Sequence, residues 1–321
     1  MTTDIERPHL TDYEVLLRAG FPYEKTLGMR RITWYPIDIE VGPNNEVYCL
    51  GRFDVGGSIR TVSWDDKDLG GIGGGWTWPA GITKDQEGLL YISDEGAHNI
   101  TMLRTDGEEI GRWGEYGSEL GQLNRPSHMV FDSDGNILIS DTQNHRIQKF
   151  SSTGEFISSF GTFGEEPGQF NMPWGISVTP DENVVVADWR NDRIQVFDSS
   201  GTVLEVVGSS GSGPGQLSRP AGISVDKHGD IYVADRGNHR IQMFGESGNF
   251  VDVFTGNAGL SKSGRIYITA NPKVLRSRDL INLVDEKLLR GPASVRVFDD
   301  LMYIPDAGSH RVQIYKKEVI D

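Results

Sequence analysis

Hydrophobic and polar residues alternate in short runs along most of the chain, and a turn-forming residue follows each run. From 222 to 254 the order is GISVD, the turn DKHGD, IYVAD, the polar loop RGNH, RIQMF, the turn GESGN and FVDVF. Alternation bounded by Gly, Asn and Asp predicts β-strands joined as hairpins, four to this unit. The same order recurs upstream. Its anchoring prolines, Pro79, Pro126, Pro173 and Pro220, stand 47 residues apart, and a fixed period of this size marks a repeat architecture. Two divergent copies begin at Pro36 and Pro292. Six four-stranded sheets set radially about an axis make an all-β, six-bladed β-propeller.

The chain is therefore expected to be a single propeller domain, 1–321, with blades starting near 36, 79, 126, 173, 220 and 292. The last copy supplies only three strands. YEKTLG (23–28) resembles the fourth strands FISSFG (156–161) and VLEVVG (203–208) and is predicted to complete that blade, which removes two free sheet edges. Pro220 and Pro292 are 72 residues apart, 25 more than the period. The excess falls in an insertion at about 257–291, where Leu280, Leu283, Val284, Leu288 and Leu289 take helical spacing before the stop at Gly291-Pro292. A partly helical lid over the mouth of the propeller is expected here.

Charge narrows the function classes. With 31 basic and 46 acidic residues the net charge is −15, which opposes phosphate neutralisation along a nucleic acid and docking on an anionic membrane. The single cysteine, Cys49, allows no intrachain disulfide, and the N-terminal residues MTTDIERPHL show no apolar leader. A cytoplasmic location is the expectation from these two features.

The segments ISDTQNHRIQKF (139–150), VADWRNDRIQVF (186–197) and VADRGNHRIQMF (233–244), each preceded by a Pro-x-Gly-like first strand, resemble NHL repeats. The resemblance implies the six-bladed propeller and covers nearly the whole chain. Within each unit an Asp and an Arg five residues on, as in Asp141 and Arg146, are expected to clamp the loop between second and third strands. His145, His239 and His310 belong to the same loop pattern and are expected to be structural. The related peptidyl-hydroxyglycine amidating lyases carry zinc-binding histidines just after the conserved turn of several inner strands. The matching residues here are Ile37, Ala80, Ser127, Trp174, Ala221 and Ala293, so that zinc site is absent. A functional arginine in the first blade of those lyases aligns with Arg52 in LGRFD (50–54).

Departures from the repeat are the better functional signal. Strand parity places the start of each first strand and the loop after each second strand on one face, here called the top. At these positions Ala and Gly are the default, and the exceptions are Asp38, His128, Trp174, Ser294, Arg52, Glu95, Trp189 and Arg236, with Thr142 at the same loop position in its blade. Cations, carboxylates, an imidazole and indoles around one mouth suit a small polar substrate with a carboxylate or carbonyl group. On this reading His128, Arg52, Arg236, Asp38 and Glu95 are catalytic candidates, and Trp174, Trp189, Thr142 and Ser294 contact substrate. Trp64, Trp76 and Trp78 are expected to wall the far side. Three roles stand open for His128: a general acid or base, a ligand with Asp38 or Glu95 for a divalent metal in the central channel, or a gap-filling hydrogen-bond donor. The function classes are a lyase or hydrolase of small molecules and, as the alternative, a scaffold that binds a peptide or protein on its top face.

Overall fold

The computed structural model describes residues 19–29, 32–53, 56–271 and 283–319. It forms six four-stranded antiparallel sheets, each with its first strand innermost. Blade 3 is typical, with strands Pro126–Phe131, Ile137–Asp141, Arg146–Phe150 and Phe156–Phe160. Blade 6 combines Arg296–Phe298, Leu301–Asp306 and Arg311–Lys316 with Tyr23–Gly28 from the other end of the chain. Gly28 lies opposite Arg311 and Tyr23 opposite Tyr315. Each innermost strand packs on the next, and blade 6 returns to blade 1. Among the described residues no helix is long and apolar enough to cross a membrane.

The core is divided into six layers, one at each blade junction. Between blades 3 and 4, for instance, Leu138 and Ile147 meet Ile176, Val186 and Phe197. A blade in the ring is covered on both faces, so the second strands IYVAD and VVVAD are buried at every position. Alternation survives in the fourth strands, which form the outer rim, as in VLEVV.

The loops of the top face are held by the repeat's own polar residues. Arg146, Arg193, Arg240 and Arg311 contact Asp141, Asp188, Asp235 and Asp306 at 2.7–2.9 Å. The loop histidines take a left-handed backbone, and their Nδ1 atoms accept a backbone N–H from the following inter-blade loop. His145 accepts from Met172 at 3.1 Å, His239 from Gly291 at 2.9 Å and His310 from Tyr35 at 2.9 Å. A hydrogen-bonding side chain offsets the strain of that conformation.

None of the insertion's described residues lines the central pocket, and the expectation of a lid otherwise falls on residues 272–282, which lie outside the described residues. Its neck is closed by Leu289 N–H to Thr255 O at 2.8 Å and Ala258 N–H to Lys287 O at 3.1 Å. From the neck the chain runs outward across blade 6. Gly259 N–H donates to the Tyr23 hydroxyl at 2.8 Å, the Ser261 hydroxyl to Gly28 O at 3.3 Å, and the Ser263 N–H and hydroxyl to Asp66 of blade 1 at 2.6 and 2.7 Å. The other Asp66 oxygen accepts Gly28 N–H at 2.7 Å. The segment is a strap that ties the closing strand to the blades on either side. Its first helix, Lys262–Thr269, capped by Ser261, was not expected from the sequence. The second, Leu283–Lys287, falls where the helical spacing was read. Of the residues read onto its apolar face, Val284 and Leu288 are 64% and 38% exposed and Leu289 is buried. Leu280 lies outside the described residues.

Candidate functional site

Each of blades 1 to 5 has a register shift in its first strand directly after the anchoring proline. In blade 3 the pairing passes from Pro126–Asp141 to Met129–Ile139. The residues in this bulge, Ser127 and His128, are thereby turned toward the axis. Glycine prevails at the second bulge position because the blades nearly touch there. A Cβ on Gly175 would lie 2.1 Å from Ala221 O, and one on Gly222 would lie 2.5 Å from Ser294 Cα. His128 leans the other way, toward blade 2, where Gly81 leaves it space: a Cβ on Gly81 would sit 3.3 Å from its Cδ2.

A cavity of about 410 Å³ opens at the top of the axis, lined by Trp34, Tyr35, Ile37, Arg52, Phe53, Trp78, Ala80, His128, Trp174, Arg236, Ala293 and His310. Arg52, His128, Trp174 and Arg236 thus converge, from four different blades. Arg52 is fixed by Nε to Pro79 O at 2.5 Å, by an ion pair with Glu95 at 3.2 Å, and by the Trp78 ring 4.8 Å from its guanidinium carbon. Arg236 has no carboxylate partner among the described residues. Among the described residues no carboxylate lines the cavity, although the chain as a whole is strongly acidic; Asp54, next to Phe53 of the wall, lies outside the described residues.

Five residues expected at the mouth are not on its wall. Asp38 is buried behind it in a two-point ion pair with Arg296, 2.9 and 2.5 Å, and also accepts Ile82 N–H at 3.0 Å. Burial pushes the Asp38 carboxyl up, but Arg296 and then His128 more than reverse this, and it lies below its ordinary value. Glu95 is held by Arg52 and Arg125. The Thr142 hydroxyl bonds Ser127 Oγ and Pro173 O, both at 2.8 Å. Ser294 is fully buried. Trp189 stands behind Trp174, with ring centroids 5.9 Å apart. Of the three tryptophans expected on the far wall, Trp78 alone is there. Trp76 is in the core, its Nε1 donating to Thr101 at 3.1 Å, and Trp64 lies under the Lys25 ammonium.

The cavity also has members that the repeat comparison did not single out. Trp34, Tyr35 and Phe53 flank blade 1, whose divergence hid the alignment. His310 looks like any loop histidine of the repeat, yet it closes the cavity because blade 6 abuts blade 1, and Trp34 packs on it with centroids 5.3 Å apart. Two guanidinium groups without a lining carboxylate do not suit a divalent cation, and no cluster of metal-ligating residues occurs among the described residues. The metal role of His128 has no support in this donor set.

His128 is 1% exposed and its Nδ1 has no partner among the described residues. Burial lowers its pKa to about 4, aided by Arg296 and Arg52, while Asp38 opposes the shift. The ring is therefore neutral in the folded protein at pH 7, whereas an unfolded histidine titrates near 6.5. A lowered pKa means that unfolding takes up a proton between these values. The contribution of His128 is complete above about pH 6.5 and is lost progressively as pH falls toward 4, by about 3 kcal/mol in all. Urea midpoints measured from pH 7 to 4.5 are expected to fall less steeply in His128→Gln than in the parent.

These features define a six-bladed β-propeller with a pocket at the top of its axis whose described lining is rich in arginine and aromatic residues. More particularly, three of the blades match the NHL repeat family, at residues 123–150, 170–197 and 217–244. No curated protein matches the chain in sequence. Solved structures with the same fold include virginiamycin B lyase from Staphylococcus aureus, at 13% identity and TM-score 0.56, covering 92% of this chain and 99% of that one. A gluconolactonase from Xanthomonas campestris is 13% identical with TM-score 0.61, covering 93% and 99%. A protein of unknown function from Bacteroides thetaiotaomicron is 18% identical with TM-score 0.62, covering 94% and 72%.

Proposed function

We propose that this chain is a lyase or hydrolase acting on a small anionic molecule with a planar or ring-shaped body. The observation that carries this reading is a pocket whose described lining holds no carboxylate, with Arg236 lacking an ion-pair partner among the described residues and Arg52 held in place among Trp34, Trp78 and Trp174. A guanidinium with no carboxylate partner, beside a second one that is already ion-paired, favours a carboxylate or phosphate in a partly dry site, and the indoles supply flat apolar walls. His128, neutral at pH 7, would accept a proton from the carbon beside a carbonyl, or from water, and the Asp38–Arg296 pair behind it would stabilise the imidazolium formed. Arg52 and Arg236 would stabilise charge developing on the substrate oxygen. Among the propellers of this shape, a histidine-to-alanine variant of virginiamycin B lyase is catalytically inactive, so a histidine needed for activity has a precedent in the architecture.

The test is calorimetry with aryl carboxylates and aryl phosphates, each beside its neutral amide or alcohol. Benzoate and phenyl phosphate are expected to bind at least about 10-fold tighter than benzamide and benzyl alcohol, and Arg236→Gln to remove that preference. Equal binding of charged and neutral partners would refute the anion site. The scaffold reading has its own observation: Tyr116 and Phe163 stand 64% and 65% exposed on the top face, each packed on a loop histidine. Peptide binding that survives Arg236→Gln but is lost on Tyr116→Ala and Phe163→Ala would favour it.

A further inference from the structure

The rim opposite Arg52 carries a second cationic group of residues. In a ring of six, blade 4 faces blade 1 across the axis. There Trp174 of the pocket packs on Trp189, and Trp189 is flanked by two guanidinium groups, Arg190 at 5.6 Å and Arg219 at 5.5 Å from its ring centre. Neither arginine has a carboxylate partner among the described residues. The nearest acid by sequence pattern is Asp192, which takes the loop position held by histidine in blades 3, 5 and 6. It accepts the Arg219 N–H and the Ser210 hydroxyl, each at 2.7 Å. That bond fixes the Arg219 backbone in its left-handed conformation, φ 50°, without neutralising its head group. A guanidinium beside an indole keeps N–H donors free for a further acceptor. Two such groups next to one indole, continuous with the wall of an anion pocket, make a second anion-binding surface.

We infer that the substrate carries two anionic groups: one held by Arg52 and Arg236 in the pocket, the other, a carboxylate or phosphate, by Arg190 and Arg219 beside Trp189. The body between them lies against Trp174. This inference rests on the pocket being an anion site. Arg190 lies across the axis from Arg52, while Arg219 directly precedes Pro220 of blade 5, the blade that also carries Arg236, so the ligand would run from the pocket over the rim between blades 4 and 5.

Calorimetry would use benzoate, benzoates bearing a 4-carboxyalkyl chain of one to four methylenes, the terminal amide of each, and 4-(phosphonomethyl)benzoate. At one or more lengths the diacid is expected to bind about 10-fold tighter than its amide. In Arg190→Gln/Arg219→Gln that advantage disappears, benzoate affinity stays within about twofold, and the melting temperature is unchanged, since both side chains are exposed. Diacids no tighter than amides at any length overturn the inference, as does an equal loss of benzoate and diacid in the double variant. If benzoate fails to bind the parent while diacids bind in an Arg190- and Arg219-dependent way, the pocket reading falls and the rim site stands. If neither binds, both fall. A larger gain for the phosphonate than for the matching carboxylate identifies the outer group as a phosphate.

Discussion

Asp38→Ala is expected to melt roughly 10 °C below the parent, a loss of about 3–5 kcal/mol. The cause is the group left behind. Arg296 is buried and makes two contacts with Asp38 and a third, at 3.0 Å, with Ile82 O. Without the carboxylate, a guanidinium remains in a dry channel with one carbonyl to satisfy it. The pair also spans the closure of the ring, since Asp38 belongs to the first blade and Arg296 to the last. Removing both charges at once is a different matter, because no stranded ion results. Asp38→Leu/Arg296→Met is expected to recover most of the loss, and a thermodynamic cycle across the four proteins measures the coupling. An Asp38→Ala protein that melts within about 2 °C of the parent would show that the pair contributes little to stability.

His128→Gln is expected to lower turnover of the pocket's substrate by about 10²–10⁴-fold with little change in substrate affinity. Glutamine preserves much of the volume and a hydrogen-bonding end but cannot take up a proton. The split between the two constants separates this role from mere filling of space, which would disturb stability and affinity together. The pH profile gives a second readout. With a free-protein pKa of about 4 for His128, kcat/KM should rise with pH through that value and be level by pH 6 if His128 is the base. A bound anion beside the ring should raise the corresponding value in kcat. A variant that keeps full turnover and loses only stability would return His128 to the gap-filling role.

How much of this was legible in the sequence depends on the range of the interaction involved. The 47-residue period, the four strands per blade and the Asp–Arg clamp are local and recur, so each copy corroborates the others. The closing strand was readable for the same reason, since YEKTLG carries the pattern of a fourth strand even though its partners are near the other end of the chain. Arg52, His128, Trp174 and Arg236 stood out because each breaks the Ala/Gly default at an equivalent position. The same logic erred for Asp38 and Glu95, which break the default equally but are consumed by partners 258, 43 and 30 residues away. It passed over His310, which obeys the repeat and gains its place on the pocket wall from the neighbouring blade.

The sequence by itself thus determined the architecture, because hydrophobic alternation and turn chemistry are written residue by residue and confirmed by repetition. Only the tertiary structure decided the character of the pocket. Whether a carboxylate faces the mouth or is turned away depends on which arginine the ring closure brings beside it. That the start of the insertion straps blade 6 to blade 1 depends on Ser263 meeting Asp66 at the rim. Those outcomes are pairings between distant blades, set by burial and charge compensation, and no single blade contains them.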